Sequence, residues 1–231
     1  MATHLVTGAG AGIGAAVAHA LADRGDDLVL LARSEAREEE LRASFPGSRT
    51  VVANLDRPQE LAGALAGQQL PDRLDSLVHV AGFVELGPVA KLSPDVWRQT
   101  LDVNLVAPAE LTRICLPALR AARGQVVFVN SGSGLRANPE WSAYAASKHG
   151  LRALADSLRA EEAGAGVRVT SVYPGRTATE MQAKVHAQEG KDYDPSEWIA
   201  PESVATAVLT ALDLPLDAEM TDVTVRPGPR P

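Results

Sequence analysis

The sequence predicts an α/β fold, a doubly wound parallel sheet with helices on both faces. Three observations carry that expectation. Short β-branched runs alternate with alanine- and leucine-rich helical stretches along the 231 residues. Most of the runs are continuously apolar, as strands covered on both faces must be. The βαβαβα order calls for right-handed crossovers, which wind the chain into a parallel sheet.

The candidate strands, in order, are 4–7 (HLVT), 27–32 (DLVLLA), 49–54 (RTVVAN), 76–80 (SLVHV), 125–130 (QVVFVN), 168–173 (RVTSVY) and 222–225 (DVTV). Between them lie helical stretches at 12–24, 35–44, 58–67, 94–99, 104–122, 142–163 and 201–212. Pro108 suits the first turn of its helix, where a missing N–H costs nothing. Pro117 lies deeper in the same stretch and predicts a kink or break. The tail RPGPRP cannot continue a strand or helix and is assigned to the surface. No linker divides the chain, so residues 1–231 are read as one domain.

Composition narrows the function classes. The chain is 45% hydrophobic and 22% charged, which suits a globular protein. Its formal net charge of −7 argues against a nucleic-acid or anionic-membrane surface. No apolar stretch reaches the ~18 residues that suggest a membrane span. A lone cysteine, Cys115, excludes an internal disulfide and fits a reducing compartment. The start, MATHLVTGAGAGIG, has no basic segment followed by an apolar run, so a cytoplasmic protein is expected. No metal site is expected.

The first strand runs into VTGAGAGIG, with Gly8, Gly10, Gly12, Ile13 and Gly14. Glycines permit a tight turn and let backbone N–H groups approach a pyrophosphate, and the helix N-terminus that follows adds partial positive charge. A βα turn that merely happens to be glycine-rich is the plainer alternative. The placement between a first strand and a first helix favours dinucleotide binding.

A second constellation lies downstream. Tyr144 and Lys148, in WSAYAASKHG, are four apart, so a helix puts them on one face. Ser131 ends the strand QVVFVN, and strand C-termini are where an α/β sheet places ligands. Singly, each residue has an ordinary reading: a half-buried aromatic, a solvated lysine, a turn cap. Ser133 is a rival hydroxyl.

The spacing Thr7-Gly8-x-x-x-Gly12-x-Gly14, with YAASK downstream, closely resembles the short-chain dehydrogenase/reductase family. The motifs fall in the family's order from residue 7 to about 179. The resemblance implies a Rossmann-type sheet, usually of seven strands, that moves hydride between nicotinamide and a carbonyl or alcohol. It implies a tetrad of Asn104, Ser131, Tyr144 and Lys148. Tyr144 would supply the proton, Ser131 a second hydrogen bond, and Lys148 the charge that lowers the tyrosine pKa and a grip on the nicotinamide ribose. Asn104 would help hold a water joining the lysine to solvent.

The same resemblance places the cofactor. Arg33 and Ser34 stand at the tip of the second strand, where an acidic residue would select NAD. Arginine and a hydroxyl suit a 2′-phosphate, so NADP(H) is favoured over NAD(H). Against this, Ala11 stands where the family often has a basic residue, and Arg33 and Arg37 could simply pair with Glu35, Glu38, Glu39 and Glu40. Asn54 and Leu55 match the residues facing adenine, and Asp56 is assigned to capping the next helix. Ala81 and Gly82 keep the family's close approach, while Val80 replaces an asparagine that braces the sheet. His79 is read as a strand histidine with a local hydrogen bond. Pro174, Gly175, Thr177 and Thr179 match the segment at the nicotinamide end.

Residues 178–200 fall where the family has its substrate lid. Met181, Val185, Tyr193 and Trp198 are candidates for one pocket wall, with Phe83, Leu135 and Trp141 opposite; Trp198 and Ile199 could instead pack a short helix. A small-molecule carbonyl or alcohol substrate is implied, as is a homodimer or homotetramer through the helices at 104–122 and 142–163. Ala145, Ala146 and Ala153 would permit close helix packing there, or pack within one subunit. An NAD-dependent alcohol dehydrogenase and a non-catalytic dinucleotide sensor are the alternatives, although a sensor needs no such tetrad.

Overall fold

The computed structural model describes residues 1–229; Arg230 and Pro231, the end of the tail assigned to the surface, lie outside the described residues. Seven strands form one sheet: β1 (Thr3–Thr7), β2 (Asp27–Ala32), β3 (Arg49–Val52), β4 (Ser76–His79), β5 (Gln125–Val129), β6 (Arg168–Pro174) and β7 (Asp222–Val225). Their order is β3-β2-β1-β4-β5-β6-β7, with every pair parallel. The order reverses between β1 and β4, and a reversal opens a crevice at the carboxyl ends of the strands.

Side chains on each strand alternate between two apolar layers. Leu5, Leu77, Val126 and Phe128 point to one core, with Leu111, Cys115 and Leu119 of α5 (Ala107–Ala122) and Leu151, Ala155 and Leu158 of α6 (Ser142–Glu162). Val6, Val78, Val127 and Val172 point to the other, with α1 (Gly12–Asp23) and α8 (Pro201–Leu212), as does Leu41 of α2 (Glu35–Ser44). Among the described residues no helix is long and apolar enough to cross a membrane.

Three helical expectations need correction. The stretch expected at 58–67 splits into a 3-10 turn, Pro58–Glu60, and a short α3, Leu61–Leu65. Asp56 caps neither: Arg57 holds the N-cap position, and the Asp56 carboxylate accepts from Gln99 Nε2 at 3.2 Å. Pro117 does not break α5, because the core contacts of Cys115 and Leu119 hold the helix on both sides of it. The helices expected at 94–99 and 104–122 are instead one continuous run: α4 (Pro94–Leu101) passes through a π-helical turn, Asp102–Val106, into α5. Pro108 has no N–H to give the Asn104 carbonyl, which is the bond an unbroken α-helix would make.

The segment 178–200, where a lid is expected, also contains a helix that the sequence pattern did not show, α7 (Glu180–Glu189). Thr179 caps it, accepting from the Gln182 N–H at 3.2 Å.

Candidate active site

A cavity of about 1200 Å³ opens at the carboxyl ends of the strands, running from Arg33 past the glycine turn to Tyr144 and Lys148. Its floor at one end is bare backbone. Gly8 has φ +73°, and a Cβ there would meet the Ala81 nitrogen at 2.8 Å. At Gly14 a Cβ would meet the Gly8 carbonyl oxygen at 2.1 Å, so no other residue fits without moving main chain. Thr7 braces the same turn: its hydroxyl accepts from the N–H groups of Val80 and Ala81 at 3.0 and 3.1 Å. Val80 therefore sits in place of an asparagine without orphaning that backbone, while its side chain packs in the core.

The other end is built from polar side chains, half-buried at Ser131 and buried at Asn130, Tyr144 and Lys148. Ser131 leaves β5 in extended backbone, and its hydroxyl accepts from the Ser133 N–H at 3.1 Å. Asn130 holds this corner, accepting from the Ser131 N–H at 2.8 Å and donating to the Lys148 carbonyl at 3.1 Å. Tyr144 and Lys148 share one face of α6 and are 7% and 3% exposed. Lys148 Nζ lies 5.7 Å from the Tyr144 ring centroid and donates to the Val129 carbonyl at 3.1 Å. Burial pulls the Lys148 ammonium down to about 8. Burial also holds the Tyr144 hydroxyl above its ordinary value, against the opposing pull of its hydrogen bond with Ser131.

Asn104 is 1% exposed on the π-turn and lies behind Gly82, outside the cavity lining. Its side-chain oxygen accepts from the Phe83 N–H at 2.7 Å, and its nitrogen donates to the Phe83 carbonyl at 2.8 Å and to Ser147 Oγ at 3.0 Å. Ser147 in turn donates to the Tyr144 carbonyl at 2.7 Å. A polar strut therefore joins the wall at Phe83 to the helix that carries Tyr144. His79 is buried beyond it, bonded to Thr112 at 2.9 Å and stacked on Phe128, with burial pulling it down to about 3. It is neutral and has no place in the cavity lining.

This arrangement of strands, turn and buried cluster matches known proteins along the whole chain. A family model described as short chain dehydrogenase matches residues 2–190. The chain belongs to the short-chain dehydrogenase/reductase family. An uncharacterized short-chain type dehydrogenase/reductase of Sinorhizobium fredii is 35% identical over 228 residues, covering 96% of this chain and 90% of that one. Dehydrogenase/reductase SDR family member 11 of Bos taurus is 31% identical, covering 96% and 94%. Among solved structures, a metagenomic short-chain oxidoreductase in complex with NADP is 31% identical, with a TM-score of 0.77 over 98% of this chain and 97% of that one. This short-chain dehydrogenase/reductase is accordingly an NAD(P)-dependent oxidoreductase of CH–OH and C=O groups on a Rossmann-type sheet.

Most sequence-picked residues of this dehydrogenase/reductase do meet in one cavity. Gly8, Gly10, Gly12, Ile13, Gly14, Arg33, Asn54, Leu55, Ala81 and Gly82 line it, as do Ser131, Tyr144, Lys148, Pro174, Gly175, Thr177 and Thr179. Ser34 does not: its hydroxyl caps α2, accepting from the Arg37 N–H at 3.3 Å. Met181, Val185, Phe83 and Trp141 line the cavity, but Tyr193, Trp198 and Leu135 do not. Tyr193 and Trp198 pack on His186, and Leu135 is exposed. Sequence reasoning missed Asn130 and Ser147, and read Thr7 only as part of the glycine motif, without its brace to Val80 and Ala81. Asn130 had one signal, a polar residue closing an otherwise apolar strand.

Proposed function

We propose that this short-chain dehydrogenase/reductase reduces a carbonyl, or oxidises the matching alcohol, with NADP(H), and that Tyr144 is its acid/base. The carrying observation is that Ser131, Tyr144 and Lys148 open on the same cavity as the glycine turn. The bare-backbone cradle at Gly8 and Gly14 fits a dinucleotide pyrophosphate, and Arg33 at the far end suits a 2′-phosphate. Among the described residues no carboxylate pairs with Arg33. The NADP held by the metagenomic relative agrees with this choice.

When bound, the reduced dinucleotide supplies hydride to the carbonyl carbon. The Tyr144 hydroxyl gives the carbonyl oxygen its proton, and the Ser131 hydroxyl donates a second bond to the growing charge. The Lys148 cation favours the tyrosinate left behind. Asn104 is a positioning residue, acting through Phe83 and Ser147.

We further propose a homodimer or homotetramer through α5 and α6. Ala146 and Ala153 lie exposed, seven apart, on α6, whereas Ala145 is spent on the chain's own core. Light scattering that shows a monomer at micromolar concentration would remove this proposal.

Tyr144→Phe is the test of the acid. Turnover of ketones should fall by roughly 10²–10⁴-fold, the usual worth of a general acid, while NADPH binding by fluorescence is retained. Turnover within a factor of two of the parent would assign the proton to another group.

A further inference from the structure

The cavity is not electrically balanced at its reacting end. The chain carries a formal net charge of −7, yet two arginines flank the turn that follows Ser131. Arg136 closes that turn, its backbone N–H donating to the Gly132 carbonyl at 3.1 Å. Arg226 arrives from the segment after β7 and lies over Gly132: a Cβ at that glycine would meet Arg226 Nη1 at 2.6 Å. Both arginines line the cavity together with Ser131 and Tyr144.

Neither guanidinium has a protein partner among the described residues. Among the described residues Arg33, Arg49 and Arg123 are likewise unpaired, but Arg136 and Arg226 are the unpaired arginines that line the cavity beside Ser131, whereas Arg24, Arg113 and Arg120 are each bound by two bonds to a carboxylate. The neighbouring Arg176 is already neutralised by Glu189 at 2.6 Å. Glu180, an acidic residue of the lining, belongs to the glycine-turn side, where it also borders a second cavity with Gly10 and Gly12. Both side chains are exposed to the cavity mouth, and a free guanidinium is suited to a planar or tetrahedral oxyanion, since arginine binds such groups through parallel charge-assisted bonds.

We infer that the substrate carries an oxyanion, a carboxylate or a phosphate, held by Arg136 and Arg226 while its carbonyl meets Ser131 and Tyr144. The inference rests on the reading of Ser131 and Tyr144 as the reacting pair. It names the substrate class as oxo acids or phosphorylated ketones, and the matching hydroxy compounds in the reverse direction.

The test compares charged and neutral pairs: 2-oxopentanoate, 4-oxopentanoate and 5-oxohexanoate against their methyl esters, and hydroxyacetone phosphate against hydroxyacetone. NADPH absorbance is followed for the parent, Arg136→Gln, Arg226→Gln and the double variant. At least one anion should exceed its neutral partner by about tenfold or more in kcat/KM, the scale of one charge-assisted bond. Each substitution should raise KM for the anion by about tenfold and leave the neutral partner within about twofold. Whether the oxo acids or the phosphate respond decides between the two oxyanions. Equal use of charged and neutral partners, or an anion preference that survives the double substitution, overturns the inference. A second arm needs no turnover: calorimetric binding of the same anions to Tyr144→Phe loaded with NADP+, where binding should vanish in the added Arg136→Gln/Arg226→Gln background. Anion binding there without turnover in the parent would sink the assigned reaction and leave the oxyanion site standing. Ketone turnover without anion binding would do the reverse.

Discussion

The two ends of the cavity are built by opposite means. At the glycine turn the working groups are main-chain N–H groups, and the design requirement is that side chains be absent. At Ser131, Tyr144 and Lys148 the working groups are side chains, and the requirement is that polar groups be withdrawn from water, half-way for Ser131 and nearly fully for Tyr144 and Lys148. The first end is a packing problem, in which Gly14 and Gly8 are in near contact. The second is an electrostatic one, in which an ammonium is 3% exposed with one carbonyl for a partner. A cradle of the first kind should fail abruptly under substitution. A cluster of the second kind should fail with pH.

The largest expected effect is at Gly14. An alanine Cβ 2.1 Å from a backbone oxygen forces the main chain apart, so Gly14→Ala should cost more than about 4 kcal/mol and abolish NADPH binding. Thermal melting with and without dinucleotide checks both; a variant that melts and binds like the parent would break the packing half of the comparison.

Next is the titration of Lys148. Unfolded, the lysine holds its proton to ~10.4, whereas folded it releases it near 8. Between those values the unfolded chain binds more protons, so stability rises with pH, by on the order of 2 kcal/mol. Below pH 8 both states are charged and the term is flat. Denaturant midpoints at pH 7.5 and 9.5 should show the rise in the parent and lack it in Lys148→Met. Activity should move the other way, with ketone reduction declining as pH passes about 8 and the cation is lost. In Lys148→Arg that limb should shift upward, because guanidinium does not titrate there.

Smaller still is Arg33→Ala. NADPH affinity should drop by about tenfold with NADH affinity unchanged, as measured by fluorescence titration. Smallest is Gly10→Ala. The atoms nearest its Cβ would be those of the Arg37 guanidinium, from 2.5 Å, the far end of a flexible side chain whose Nη2 donates to the Gly10 carbonyl at 3.0 Å. Arg37 should swing aside for less than about 1 kcal/mol. A Gly10 variant as damaged as the Gly14 one would show that the turn cannot be divided glycine by glycine.

Much of this was legible in the sequence. The seven strands appear within two residues of their expected bounds, because continuous apolar runs have few other places to go in an α/β fold. The glycine turn and Ser131, Tyr144 and Lys148 were legible as types at spacings, and they share the cavity. Less was legible in residues 178–200, where α7 shows no sustained apolar stripe and Tyr193 and Trp198 turn to His186 instead of the cavity. Ser34 shows why a hydroxyl at a strand tip is hard to read: it can serve a ligand or the next helix, and here its oxygen accepts from α2.

By itself, then, the sequence determined the order of strands and helices, the bare turn after β1 and the identity of the polar residues near the carboxyl ends, all of which follow from local pattern. Only the tertiary structure decided what those residues touch. The π-turn aims Asn104 at Phe83, burial holds the Tyr144 hydroxyl above its ordinary value, and the chain after β7 returns to lay Arg226 over Gly132. Each depends on groups from segments far apart in sequence, and burial and charge are properties of the assembled neighbourhood, not of the residue.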